Sequence, residues 1–141
     1  MINELMIINQ AGIALFYHNL INNEQLNDQQ SLAGYFDIIC RFTKNSFKEN
    51  LKTLVLDSFL FFFYTHNSNY HLVLKCENID FDKKVLENVS ETIISSFVNE
   101  YKDILNNFNG EISCFKSFSK QIIKILNKEF KDFTKTSYLE H

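Results

Sequence analysis

The chain carries an unbroken run of six large apolar or aromatic residues at positions 59–64, Phe-Leu-Phe-Phe-Phe-Tyr, of which five are Phe or Tyr. Aromatic side chains favour β-strands, and successive side chains of a strand point to opposite faces of its sheet. The odd-numbered residues of the run would therefore line one face and the even-numbered residues the other. Neither set suits contact with water. We predict a strand within a sheet that is covered by helices on both faces.

Length and composition predict one domain with a core of its own, because the chain has 141 residues and 45% of them are hydrophobic. We take residues 1–138 as that domain and exclude 139–141, Leu-Glu-His, as the start of a histidine tag. The sequence has no apolar run of about 18 residues and no basic, apolar leader. We therefore expect neither a transmembrane segment nor a signal peptide, and a cytoplasmic location.

Turn-forming residues and changes of periodicity divide the chain into eight elements. Asn-Gln-Ala-Gly at 9–12 predicts a short turn, and hence a hairpin between the first two strands. The polar stretch 19–27 predicts a surface loop, and short turns between the last three strands make them a meander. The predicted elements are strands over 5–8 and 13–17, a helix starting at 27 or 28, strands over 51–56, 59–64 and 70–75, a helix capped by Asp80 or Asp82, and a helix after 114.

The first helix is predicted from apolar residues that recur at helical spacing. Asn27 and Gln30 fit a capping box at its start. Gly34 costs about 1 kcal/mol relative to alanine inside a helix, and we expect it to let the helix approach the sheet closely. The apolar stripe of this helix comprises Leu32, Tyr35, Phe36, Ile39, Phe42 and Phe47.

The two C-terminal helices are predicted in the same way, and the first of them should run for about five turns. Asn and Gly residues at 106–110 act as its stop signal. Its apolar stripe comprises Leu86, Val89, Ile93, Phe97, Tyr101 and Ile104. The stripe of the last helix comprises Phe115, Phe118, Ile122, Ile125, Leu126, Phe130 and Phe133.

This order of elements resembles that of longin domains, a group that includes sigma-type adaptor chains and longin-like subunits of vesicle-tethering complexes. The similarity covers positions 5–133. It rests on the opening Ile-Ile-Asn-Gln-Ala-Gly-Ile at 7–13, on the meander over 54–76, and on paired C-terminal helices with Gly110 and Phe115 at their junction. Roadblock domains are similar but begin with a helix. The resemblance implies an α+β, longin-like (profilin-like) three-layer α/β/α fold, with a five-stranded antiparallel sheet, one helix on one face and two on the other.

The resemblance also implies a function. Longin domains are not enzymes, and they bind small GTPases, SNARE segments, sorting peptides, or other longin and roadblock domains. We therefore expect a non-enzymatic interaction platform, without a cofactor, for a small Ras-like GTPase or a longin or roadblock subunit in a trafficking-type or GTPase-regulatory complex. A homodimer is an open alternative, and membrane association would be peripheral, through partners. The chain shows no sustained heptads after its last helix, so we do not expect the membrane-fusion role of SNARE-type longins.

In longin relatives the first helix and the edge of the sheet supply partner surfaces. The third strand is that edge in the family, and an exposed edge can pair with an edge of another chain. Lys52 would blunt such pairing. For each candidate the alternative interpretation is packing in the core. The candidate partner-binding residues are Tyr35, Phe42, Phe47, Lys52 and Leu54.

The sequence offers no catalytic constellation. His66 and His71 flank one turn and could face each other across it, but two histidines make a poor zinc site, because structural zinc normally takes four ligands. Glu87 and Glu91 share one helix face, which is more typical of a solvated surface than of acid–base chemistry.

Three further features bound the function. The net charge is −3 with the two signs interspersed, without the basic stripe of a nucleic-acid binder, so we expect no nucleic-acid partner. The alternative to protein binding is a small-molecule sensor of related fold, which would need a large internal pocket with convergent polar groups. Three cysteines, far apart and odd in number, favour a reducing compartment. We expect all of them to be buried among apolar neighbours: Cys40, Cys76 and Cys114.

Overall fold

The computed structural model describes residues 2–21, 28–67, 69–78 and 82–130. It confirms the predicted fold class and order of elements. The strands are β1 (Ile2–Asn9), β2 (Ala14–Asn19), β3 (Thr53–Val55), β4 (Phe59–His66) and β5 (Tyr70–Glu77). The helices are α1 (Gln29–Phe47), α2 (Lys83–Glu100), α3 (Lys102–Asn106), a 3₁₀ helix (Ser113–Phe118) and α4 (Ser119–Phe130).

The five strands form one sheet in the order β2-β1-β5-β4-β3, and every neighbouring pair is antiparallel. The first and last strands of the sequence, β1 and β5, pair at the centre. The aromatic strand β4 lies between β5 and β3, with Phe62 opposite both Leu74 and Thr53. The predicted edge position of β3 is confirmed, and β2 forms the other edge.

Two apolar clusters, one on each face of the sheet, confirm that β4 is covered on both sides. Leu60 and Phe62 belong to the cluster beneath α2 and α4. Phe63 belongs to the cluster beneath α1, and Phe61 packs against it. Burying alternate aromatic side chains on both faces removes a large apolar area from water, so β4 is held by helices from two sides.

A β-bulge in β2 shifts its side-chain alternation by one residue. Ile7 lies opposite Phe16 and Ile8 lies opposite Ala14, so Leu15 is the extra residue. Leu15 and Phe16 both belong to the cluster beneath α2 and α4, whereas Ala14 belongs to the cluster beneath α1. The predicted hairpin is confirmed, although β2 runs two residues further than expected, to Asn19, into the predicted loop.

The start of α1 differs from the prediction. The residue before the helix, Asp28, makes no side-chain capping bond. The Gln30 side chain lies against β2 instead, where the backbone N–H of Ala14 donates to Oε1 at 2.9 Å and Nε2 donates to the Ala14 carbonyl at 3.0 Å. The predicted capping role of Gln30 is therefore wrong, because the edge of β2 offers its amide both a donor and an acceptor. Asn27 lies outside the described residues.

Gly34 does not provide the close helix–sheet approach that we expected. A Cβ atom built at Gly34 would meet nothing within 4 Å, so the residue faces open space. The close approach is made next to it by Ala33, which is fully buried against the sheet. The small residue that lies against the sheet is therefore Ala33, one position before the predicted Gly34.

The C-terminal helices are more segmented than predicted. α2 begins after Asp82, whose carboxylate accepts the backbone N–H groups of Lys84 and Val85, and this confirms the predicted cap; Asp80 lies outside the described residues. The long helix ends at Glu100, and α3 continues it for five residues, where Ile104 is exposed rather than buried.

The last predicted helix is a 3₁₀ helix followed by α4. Its predicted stripe holds at Phe115, Phe118, Ile122 and Leu126, which are fully buried. Aromatic contacts join these segments, since the Phe97 ring of α2 lies 5.2 Å from Phe115 and 5.1 Å from Phe118. Phe133 lies outside the described residues.

Candidate functional site

Helix α1 carries a second apolar stripe on the face that points away from the sheet. Its inner face, with Phe36 and Cys40, is buried. Ile38 lies about 160° around the helix from both of these residues, at 3.6 residues per turn. Tyr35, Ile38 and Phe42 are 51%, 67% and 63% exposed, and we refer to these three residues as the outer stripe.

The outer stripe corrects the predicted phase of the helix. The sequence predicts one stripe that holds Tyr35, Phe36 and Phe42, but only Phe36 of these is buried. Ile38 was missed by the sequence analysis. Its signal is its position three residues after Tyr35 and four before Phe42, the spacing of neighbours on one helical face.

An α-helix that is apolar on two opposite sides needs cover on both of them. A surface helix normally has one apolar stripe and a polar opposite face, and a contiguous exposed apolar patch marks an interaction site. The sheet covers the inner side of α1 through Phe36, whose ring lies 5.0 Å from Phe61 and 5.4 Å from Phe63. Within the described chain the outer stripe has no such cover, and this makes it the candidate functional site.

Phe47, the last residue of α1, extends the apolar surface. It is 66% exposed, and its ring lies 6.4 Å from that of Phe42 in an edge-to-face arrangement. The structure therefore brings these two predicted candidates together. Two exposed aromatic rings that contact each other supply the rigid apolar area that is typical of interface anchors.

The two predicted candidates near the sheet edge lie in different environments. Lys52, just before β3, is exposed. Leu54 is partly buried and packs against the cluster beneath α1, so much of its surface serves the core. Val55 and Leu56, which we did not single out, are the exposed apolar residues at this edge.

The outer edge of β3 offers free backbone groups. Antiparallel pairing directs the N–H and C=O groups of alternate residues to the same neighbour. The Lys52 carbonyl accepts the N–H of Phe63 at 2.9 Å and the Leu56 N–H donates to β4 at 2.7 Å, so these positions face β4. The backbone groups of Thr53 and Val55 therefore point outward, where another strand can bind.

Charged groups fix the orientation of α1 rather than form a reactive centre. Asp37 is buried, and its Oδ2 lies 3.0 Å from Nε of Arg41. Arg41 also donates through Nη2 to the carbonyl of Gln10, in the turn between β1 and β2. Burial lowers the pKa of the nearby His71 imidazole, which favours its neutral form. These contacts attach the turn between β1 and β2 to the middle of α1.

The other chemical candidates do not form a constellation. The strand register places His71 opposite Thr65 and His66 opposite Tyr70, so the two histidines do not face each other across the turn. Nδ1 of His71 lies 2.9 Å from Oγ1 of Thr65. In the described part of the chain no group of three or more His, Cys, Asp or Glu residues is arranged to hold a metal ion.

The cysteines differ in burial. Cys40 and Cys76 are buried as expected, and burial raises the pKa of each thiol to about 11, so neither is poised to act as a thiolate nucleophile. Cys114 is exposed, which corrects our expectation. It lies in the 3₁₀ helix, whose apolar side is taken by Phe115 and Phe118.

A cleft of about 490 Å³ lies beside β2. It is open to solvent and is lined by β2 together with Gln29, Ile112, Lys116 and Ser119. This is not the enclosed pocket between helix and sheet that a small-molecule sensor would use. No helix in the described ranges combines the length and apolar character needed to cross a bilayer.

One protein family matches the chain. The family is described as the first longin domain of INTU, CCZ1 and HPS4, and it matches residues 9–110, which is more than half of the sequence. The matched stretch includes β2, α1, the meander and α2. Comparison with curated proteins gave no match.

Solved structures show the same fold at low sequence identity. A Roadblock/LC7 domain from Streptomyces avermitilis is 17% identical, with a TM-score of 0.56, over 71% of this chain and 84% of that one. A chain in the mammalian SRP receptor structure is 11% identical, with a TM-score of 0.59, over 95% and 98%. MglB of Myxococcus xanthus is 14% identical with a TM-score of 0.46, over 55% of this chain and 65% of that one, less than two thirds of its length.

Proposed function

The chain belongs to the family of first longin domains of INTU, CCZ1 and HPS4, and we propose that it is a non-enzymatic interaction platform. Its partner would be a small Ras-like GTPase, or a longin or roadblock subunit, in a trafficking-type or GTPase-regulatory complex. The partner would bind the outer stripe of α1 together with Phe47, and the sheet edge formed by Lys52 and by β3 with its Leu54.

The single observation that carries this proposal is the exposure of Tyr35, Ile38 and Phe42 on the side of α1 opposite its buried face. These side chains supply apolar and aromatic area of the kind that dominates interface energetics. The adjacent Phe47 enlarges it, and the free backbone groups of β3 add a directional contact. Exposed apolar anchors and a free strand edge fit a protein surface better than a small ligand.

The apolar character of the site favours a longin or roadblock subunit over a GTPase as the direct partner. Interfaces of permanent complexes are more hydrophobic than those of transient ones, and the outer stripe consists of Tyr, Ile and Phe. An apolar helix face and a free strand edge are also features that a second domain of the same architecture can match. A GTPase would then bind the assembled pair, and its nucleotide state would shift the binding equilibrium.

The small-molecule alternative stays a prediction that the described residues do not favour. The cleft beside β2 is open and lies at the sheet edge, and the pocket between α1 and the sheet has a volume of only about 130 Å³. Self-association through the outer stripe or β3 is a competing arrangement of the same surface. Light scattering of the purified chain over a concentration series distinguishes self-association from binding to a different protein, because only self-association raises the measured mass of the pure chain with concentration.

Affinity capture with matched variants tests the proposal. Ile38→Glu places a charge in the outer stripe, and Ile104→Glu places the same charge at another exposed isoleucine, on α3. We expect the wild type and Ile104→Glu to retain from a native lysate a longin or roadblock protein or a Ras-like GTPase that Ile38→Glu loses. Retention of the same proteins by all three baits would overturn the proposal.

The nucleotide state then separates the two partner classes. The captured complex is loaded with GDP or with a non-hydrolysable GTP analogue before washing. A direct GTPase partner should differ in retention between the two states, whereas a constitutive subunit should be retained equally. If the protein binds GDP-loaded GTPases, GTP-loaded GTPases and unrelated proteins equally well, this surface has no GTPase-related function.

A further inference from the structure

Four lysines recur at intervals of four residues along the C-terminal part of the described chain. Lys116 lies in the 3₁₀ helix, and Lys120, Lys124 and Lys128 lie in α4. All four side chains are exposed, and we refer to them as the lysine stripe. The interspersed charge signs predicted for the chain as a whole do not extend to this row of lysines.

The stripe occupies the outward face of α4. The inward face is formed by Ile122, Ile123 and Leu126, which belong to the core cluster on this side of the sheet. Lys124 lies about 160° around the helix from both Ile122 and Leu126. From Lys120 to Lys128 the stripe extends about 12 Å at the rise of an α-helix, so its charges can contact one surface together.

Nearby acids compensate the stripe only in part, and mainly at its two ends. None of its four lysines forms an ion pair with a carboxylate among the described residues. Glu111 and Glu100 keep their charge although each accepts a hydrogen bond, from the backbone N–H of Ser113 at 2.9 Å and from the Gln121 side chain at 3.1 Å. Hydrogen bonds from Ser113 and the charge of Lys116 lower the pKa of Glu111, so Lys116 is partly compensated. Glu129, next to Lys128, is the only acid within α4 itself.

We propose that the lysine stripe binds the surface of a bilayer that contains anionic lipids. Clusters of four or more lysines on one helix face complement the negative potential of such a surface. Because the apolar side of α4 is committed to the core, the contact would be electrostatic, reversible and sensitive to salt. A net charge of −3 for the whole chain would keep the other faces away from the membrane.

The geometry makes this surface independent of the protein-binding site. α1 and α4 lie on opposite faces of the sheet, so a protein docked on a bilayer through α4 presents the outer stripe of α1 to the other side. The lysine stripe would therefore orient the protein as well as retain it. This inference stands whether or not the proposed partner of α1 is correct.

Co-sedimentation of the full chain with vesicles tests the inference. The probes are phosphatidylcholine vesicles with and without phosphatidylserine, at low and at physiological ionic strength. We expect binding only with phosphatidylserine, weakened by salt. The variant Lys120→Gln/Lys124→Gln should lower the partition coefficient about 25-fold, because each lysine near such a surface contributes about a fivefold factor.

The matched control is Lys44→Gln/Lys48→Gln, which removes the same charge at the end of α1, on the other side of the sheet. It should bind vesicles like the wild type, and circular dichroism checks that both variants are folded. An equal loss in the two variants, or equal binding to vesicles without phosphatidylserine, would overturn the inference. So would absence of vesicle binding, including a case in which the stripe binds polyglutamate or duplex DNA instead.

Discussion

Gly12 lies directly against the carboxylate of Asp37. A Cβ atom added at Gly12 would come within 3.1 Å of Oδ2 of Asp37, and the residue has a φ of +78°. Both facts require glycine, because a side chain would be strained in this backbone conformation and would press on a buried group. The hairpin turn and the middle of α1 are therefore fitted to each other.

Substitution of glycine by alanine should have opposite effects at two positions. We expect Gly12→Ala to lower the free energy of unfolding by about 2 kcal/mol, from backbone strain and the contact with Asp37. Gly34→Ala should raise it by up to about 1 kcal/mol, because Gly34 is inside a helix and its Cβ would meet no neighbour. Urea unfolding followed by circular dichroism measures both, and destabilisation by Gly34→Ala would contradict the geometry of α1.

Phe36 and Phe42 should differ strongly in their contribution to stability, although they are the same residue type on one helix. Phe36 is 2% exposed and Phe42 is 63% exposed. Phe36→Ala should cost about 3–5 kcal/mol because it opens a cavity beneath α1, whereas Phe42→Ala should cost about 0.5 kcal/mol or less. Comparable losses of unfolding free energy in both variants would show that the outer stripe is part of the core.

The Gln30 amide should stabilise the junction of α1 and β2. Gln30→Ala removes both hydrogen bonds to Ala14 and leaves a partly buried donor and acceptor, so we expect a loss of about 1–2 kcal/mol. Gln29→Ala is the matched control, because Oε1 of Gln29 accepts no hydrogen bond from the residues that the structure describes. Its effect on the free energy of unfolding should stay within about 0.5 kcal/mol, and equal effects of the two substitutions would refute the role of the amide.

The bond between Tyr64 and Glu91 should make stability depend on pH at both extremes. The Tyr64 hydroxyl donates to Oε2 of Glu91. This bond lowers the pKa of the Glu91 carboxyl and, with burial, raises the pKa of Tyr64 to about 12. The stabilisation from Glu91 is present above its unfolded pKa, about 4.3, and is lost as the pH falls through the folded value.

The stabilisation from Tyr64 is present below its unfolded pKa, about 10, and is lost as the pH rises through about 12. We expect Tyr64→Phe to cost about 1 kcal/mol at pH 7, since the pair is exposed and screened, and to cost less at acidic pH. Urea unfolding of wild type and variant over a pH series measures this difference. A cost that is constant from neutral to acidic pH would contradict the assignment.

Several parts of the fold could be predicted because only one arrangement satisfies their side chains. The run at 59–64 is apolar on both sides of a strand, so it had to be covered on both faces. The apolar residues of α2 from Leu86 to Phe97 lie on a single face of the helix, and the structure buries them as predicted. Asp82 was identifiable as a cap because a carboxylate accepts the free N–H groups at a helix start.

The phase of α1 could not be predicted because the helix is apolar on two sides. Tyr35 and Phe42 recur at helical spacing just as Phe36 and Cys40 do, and periodicity alone does not say which stripe meets the sheet. Asp37 also suggests the wrong orientation of the helix, because charged residues usually lie on the exposed face whereas Asp37 is buried. The sheet decides between the stripes, through the rings of Phe61 and Phe63.

The lysine stripe was missed for a different reason. Net charge is a sum over the chain, and the acids elsewhere hide four lysines that only the rotation of α4 brings together. The bulge at Leu15 was equally inaccessible, because it depends on the pairing of β2 with β1 and leaves no mark in the composition of the strand. Both features depend on how neighbouring backbone segments meet.

The two unlike edges of the sheet determine how copies of the molecule can assemble. An edge-to-edge contact between β3 of one copy and β3 of another is isologous and stops at two copies. A contact between β3 and β2 is head-to-tail and would propagate into a filament. Gln30 already occupies the backbone groups of Ala14 at one end of β2, so this single amide disfavours polymerisation and does not act on a closed pair through β3.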